Sequence, residues 1–111
     1  MKSRTYLSQT ELMVMLAIMR LGENAYGVPI AQEIGKCTGR EIAIGVVYSA
    51  LKHLEEDGFI RSSLGEATAA RGGRAKTYFT ATASGYKQVK EAQQALRRMW
   101  NGIPQLKSRS A

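Results

Sequence analysis

The 111-residue sequence predicts a mostly α fold carrying one small antiparallel β-hairpin. Apolar residues recur at helical spacing in three successive segments before Phe59. The pattern then changes to strand-like runs on either side of a Gly- and charge-rich stretch, and a last helical segment follows, with apolar positions three and four apart. At 44% hydrophobic content the chain suits one modest core, so one domain is expected.

Residues 1–6 read as a flexible basic arm. Ser8-Gln9-Thr10-Glu11 then has the spacing at which a Ser hydroxyl and a Glu carboxylate cap each other's backbone donors, so the first helix starts there and stops at Gly22. Its apolar residues, Leu12, Val14, Met15, Leu16, Ile18, Met19 and Leu21, cover nearly every face. That predicts a central helix enclosed by the others. The second helix, within YGVPIAQEIGK, has Pro29 where a first turn tolerates it and Ile30, Ala31 and Ile34 on one side, with Gly35 and Gly39 bracketing its end.

The third helix is expected over 44–57, with Val47, Ala50, Leu51 and Leu54 as its buried stripe and Gly58 as its stop. FIRSSLGE and KTYFTAT favour strands, and ARGGRAKT falls at the tip and return of the hairpin between them. Thr82 or Ser84 can cap a last helix running to about Asn101, stopped by Gly102 and Pro104. Val89, Ala92, Leu96, Met99 and Ile103 form a short heptad seam along it, and QLKSRSA is expected to fray.

The net charge of +7 favours a polyanionic partner. It is unevenly spread: residues 1–59 carry six Lys/Arg against seven Asp/Glu, residues 60–111 ten against two. The single cysteine, Cys37, excludes an intrachain disulfide. The longest apolar run, residues 12–19, is too short for a bilayer, which needs about 20 residues, and no secretory cleavage pattern follows it. A cytoplasmic protein with no membrane partner is expected.

Three helices followed by a basic two-stranded hairpin is the order of a winged helix-turn-helix, in which the third helix enters the major groove of double-stranded DNA. With the apolar stripe buried, that helix presents Gly45, Tyr48, Ser49 and Lys52 outward. A phenol, a hydroxyl, an ammonium and a glycine that admits close backbone approach suit phosphates and base edges. The bland alternative packs Tyr48 in the core and leaves Lys52 merely solvated. In the wing, Arg71, Arg74 and Lys76 are the expected phosphate contacts, with Gly72 and Gly73 shaping the turn. A solvated basic turn is the plainer reading of the same residues.

A nucleotide-binding loop is excluded: Ala75 rather than Gly precedes Lys76-Thr77, and a strand rather than a helix follows. Catalysis has little to build on. His53 is the sole histidine, nothing orients a Cys37–His53 pair, and the adjacent Glu55, Glu56 and Asp57 fan around a helix instead of converging. No metal-ligand spacing occurs, so neither an enzyme nor a cofactor is expected.

AYGVPIAQEI, IGVVYSALKHLEEDGFI and GGRAKTYFTATASG, in that order, resemble the PadR-like transcriptional regulators. In that family a "YG..I" helix, a "G..Y..L..LE..G.I" recognition helix and a wing ending in "YY..T..G" follow one another. The resemblance spans about Leu7 to Arg98, and its middle motif, with Tyr48, Leu51, Leu54, Glu55, Gly58 and Ile60, is the most specific part. The chain departs from it at Thr77, where a basic residue is common, at Phe79, where a second tyrosine is usual, and at Ala81, where a larger apolar residue is expected.

The resemblance implies a homodimeric repressor on a roughly palindromic operator, with Tyr48 and Lys52 on the recognition helix and Arg74 and Lys76 in the wing. It implies a dimer interface on the last helix, at Val89, Ala92, Leu96, Met99, Trp100 and Ile103, although the same seam suits packing on the chain's own first helix. Trp100 would also be the contact for a flat aromatic effector held between subunits, as in some small family members; packing at the dimer contact or on the first helix is the plainer role. The expected organisation is an arm over 1–6, a DNA-binding winged helix over 7–82, a dimerisation helix over 83–103 and a flexible tail over 104–111. A winged-helix module that docks an acidic protein without binding DNA is the competing function.

Overall fold

The computed structural model describes residues 7–65 and 75–106, a mostly helical fold with one two-stranded antiparallel sheet. The basic arm, the wing residues Arg71, Gly72, Gly73 and Arg74, and the last five residues lie outside the described residues.

Helix α1 spans Gln9–Leu21 and opens on the reciprocal cap its sequence predicts. The Glu11 amide donates to Ser8 Oγ at 3.1 Å, and the Ser8 amide donates to Glu11 Oε1 at 2.9 Å. Gly22, at φ 60°, ends the helix and passes the chain into a 3-10 turn over Gly22–Asn24. Helix α2 spans Gly27–Thr38. Gly35 lies inside it rather than at its end, and its carbonyl accepts from the amide of the left-handed cap Gly39 at 2.8 Å.

Helix α3 spans Ile44–Glu56 and buries Val47, Ala50, Leu51 and Leu54, the predicted stripe. Gly58, at φ 81°, turns the chain into strand β1, Ile60–Leu64, which pairs with β2, Thr77–Ala81, from Ile60↔Ala81 to Leu64↔Thr77. Helix α4 spans Ala83–Trp100. Of its two candidate caps, Thr82 serves: Oγ1 accepts from the Gly85 amide at 3.1 Å and donates to the Gly58 carbonyl at 2.7 Å. Part of the expected tail, Pro104–Leu106, makes a further 3-10 turn.

The core joins Val14, Met15 and Ile18 of α1, Ile30 and Ile34 of α2 and the α3 stripe, closed by Phe59, Ile60 and Phe79. One expectation needs correction. Helix α1 is central but not enclosed, because Leu16 is 42% exposed and Leu12, Met13 and Met19 are only half-buried. Helices α2, α3 and α4 and strand β2 pack around α1 and leave this stripe uncovered.

An ion pair ties α1 to α2, Arg20 Nε to Glu33 Oε2 at 2.6 Å. The Arg20 hydrogen bond holds the Glu33 carboxyl below the usual carboxylate range, and Glu33 in turn raises the Arg20 guanidinium. Cys37, one turn on and exposed, places its thiol 3.6 Å from the same Glu33 oxygen.

Candidate nucleic-acid interface

With the apolar stripe of α3 buried, helical geometry turns positions three and four apart on the other face toward solvent. Gly45, Tyr48, Ser49 and Lys52 are all exposed there. Tyr48 is 51% exposed and so is not a core residue, which removes the bland alternative for it. Its hydroxyl end rests on the start of α2, where a β-carbon at Gly27 would collide with it. Glu55 and Glu56 lie at the far end of α3, where Glu55 Oε2 accepts from Ser62 Oγ of β1 at 2.6 Å.

The helix starts differ. Helices α1 and α4 have side-chain caps, Ser8 and Thr82, whereas α2 and α3 begin at Tyr26 and Ala43 with no side-chain cap. First-turn amides left without a side-chain acceptor are donors suited to phosphate.

Lys76, just before β2, is half-buried rather than extended into solvent. Its ammonium donates to Tyr26 Oη at 2.7 Å and lies 3.9 Å from the centre of the Tyr26 ring. Tyr78 meets the same ring edge-on, with centroids 5.3 Å apart. The backbone fixes this cluster, because the Phe79 amide donates to the Ala25 carbonyl at 2.8 Å and the Gly65 amide to the Lys76 carbonyl at 2.7 Å. The structure therefore brings Lys76 to the end of α2 that supports Tyr48. Sequence reasoning missed Tyr26 and Gly27 as members of this surface. Their signal was the Tyr-Gly pair ahead of Pro29, read as a helix start and as the "YG..I" of the family pattern, neither of which marks a surface.

The seam on α4 divides. Ala92 is buried within its own chain and Val89 is half-buried against the core, which leaves Leu96, Met99, Trp100 and Ile103 exposed. Leu96, Trp100 and Ile103 line an open apolar groove of about 920 Å³ with Leu12 and Leu16 of α1.

An exposed polar third-helix face beside a hairpin held against the start of the second helix is the arrangement of a winged helix-turn-helix. Residues 15–91 match the model of the transcriptional regulator PadR-like family, more than half of the chain. The chain belongs to this family. Solved structures share the fold. A transcriptional regulator from Clostridium thermocellum is 26% identical at a TM-score of 0.71, covering 86% of this chain and 89% of that one. A PadR family regulator from Clostridium difficile R20291 is 21% identical at 0.72, covering 88% and 97%. One from Eggerthella lenta is 22% identical at 0.69, covering 85% and 80%. No curated relative matches.

Two departures from the PadR-like pattern lie in packing. Phe79, in place of the usual tyrosine, is 7% exposed and joins the core, and Ala81 packs half-buried against it. Thr77 is exposed. Among the described residues no helix is long and apolar enough to cross a membrane, and no group of His, Cys, Asp or Glu could hold a metal ion.

Proposed function

We propose that this PadR-like regulator binds double-stranded DNA as a homodimer and represses transcription from a roughly palindromic operator. The observation that carries it is the outward stripe of Gly45, Tyr48, Ser49 and Lys52, adjoining the Lys76–Tyr26 cluster through Gly27. A helix of this composition, followed by a basic hairpin, can put Tyr48 and Ser49 at base edges and Lys52 and Lys76 at phosphates. Arg71, Gly72, Gly73 and Arg74 extend the surface on sequence grounds alone.

The exposed Leu96, Met99, Trp100 and Ile103, with the open stripe of α1, supply the apolar area that a second copy would cover. A flat aromatic effector reaching Trp100 would occupy the same groove. It would be detected as a compound that quenches Trp100 fluorescence and releases the operator.

A gel-shift assay on the DNA upstream of the protein's own gene, with unrelated competitor present, tests the central claim. A retarded band that survives competitor supports it. No band at low salt overturns it and leaves the docking of an acidic protein as the better account of the basic half. Lys52→Ala should weaken binding to all sequences and lower the salt slope by up to about 1. Tyr48→Ala should weaken operator binding more than nonspecific binding.

A further inference from the structure

We propose that Tyr26 is a positioning residue for DNA binding, one that fixes the Lys76 ammonium and the loop end of the hairpin against the start of helix α2, on which Tyr48 of the recognition helix rests; this rests on the DNA-binding function proposed above. A lysine at the edge of a hairpin normally samples many rotamers, and that freedom is lost when it meets a phosphate. Here the freedom is already restricted. The Tyr26 hydroxyl accepts one ammonium proton at 2.7 Å, and its ring lies 3.9 Å from the charge, a favourable cation–π distance. An ammonium has three donors, so two remain for phosphate oxygens.

The tyrosine is itself held in place. The edge of Tyr78 packs on its ring, and Tyr78 covers Gly65, where a β-carbon would strike it. The Phe79–Ala25 bond joins β2 to the residue before Tyr26. The next residue, Gly27, carries the hydroxyl end of Tyr48. A path thus runs from Tyr48 on α3 through Gly27 and Tyr26 to Lys76, just before β2 at the loop end of the hairpin. It couples the two surfaces that must meet adjacent stretches of one duplex.

The test is a double-mutant cycle on upstream DNA, read by fluorescence anisotropy, with a thermal melt of each variant. Tyr26→Phe keeps the ring and removes the acceptor; it should weaken binding by about 3- to 10-fold, the range of one hydrogen bond, without a matching loss of melting temperature. In a Lys76→Met background the same change should cost less than about 2-fold, because a residue acting through Lys76 has nothing left to position. Lys76→Met should lower the salt slope by up to about 1, whereas Tyr26→Phe should leave it unchanged.

Equal binding by wild type and Tyr26→Phe overturns the assignment. So does an equal loss in both backgrounds, which is the mark of a merely structural residue. Tyr26→Leu extends the series where it folds, and the Phe variant decides where it does not. Wild-type protein that gives no complex removes the DNA-binding function itself, a result distinct from a complex that ignores Tyr26.

Discussion

Tyr48 leans its hydroxyl on Gly27, and the contact is one-sided: the phenol is the free end of a side chain that can rotate, whereas Gly27 is buried at the start of α2. A methyl at position 27 should therefore displace Tyr48 rather than the backbone. Gly27→Ala is expected to leave stability unchanged or raise it by up to about 1 kcal/mol through helix propensity, while operator affinity falls as in Tyr48→Ala. Thermal melts and anisotropy on one preparation check this, and a parallel loss in both would mean the backbone yields instead. Glu33 makes a second residue-scale prediction. Its folded carboxyl titrates below the ordinary value, chiefly through the Arg20 hydrogen bond, so the stability it contributes is present above the usual carboxylate range. That contribution is lost as pH falls through the depressed value. Melting temperatures of wild type and Glu33→Gln should differ at neutral pH and converge in acid; a constant difference would assign the effect to packing.

Helix α4 is anchored at its first turn, where Thr82 caps it and Gly85 lies against the Phe59 carbonyl and Met15, and packs on the core further along through Val89 and Ala92. A β-carbon at Gly85 would strike backbone, which cannot rotate away, so Gly85→Ala should cost about 1–3 kcal/mol in urea unfolding. Gly45 is the control: a β-carbon there meets nothing within 4 Å, so Gly45→Ala should hold stability and lower only DNA affinity. These two glycines also mark what could be read from sequence. The α3 stripe, the Ser8–Glu11 box and the hairpin were legible because each is set by spacing within a few residues. The outward face of α3 followed from its buried face. The Lys76–Tyr26 bond joins residues 50 apart, and the Gly27–Tyr48 contact joins two helices, so neither leaves a local periodicity. The same limit explains Leu16. An all-apolar helix signals burial, but only the placement of its neighbours shows which side of α1 they leave open.

At the scale of the molecule, that open side and the end of α4 belong together. Leu12 and Leu16 face a groove shared with Leu96, Trp100 and Ile103, and Met99 beside it is 75% exposed. Apolar side chains so concentrated in one groove suit a second copy related by a two-fold axis, which would pair each protomer's groove with its partner's. Such a pairing would also set the distance between recognition helices. Two α3 helices on one face of the duplex require half-sites about 10 base pairs apart, or a multiple of that. Leu96→Glu introduces a charge into the seam at a position already exposed in the single chain, so the protomer should still fold while the dimer is lost. Sedimentation should then show a monomer. Binding to a two-half-site operator should fall far more than binding to an isolated half-site. Inserting about 5 base pairs, half a helical turn, between the half-sites should reproduce the loss for wild-type protein and add little for Leu96→Glu. A variant that stays dimeric would put the seam elsewhere on the molecule, and an operator indifferent to the insertion would overturn the paired half-sites.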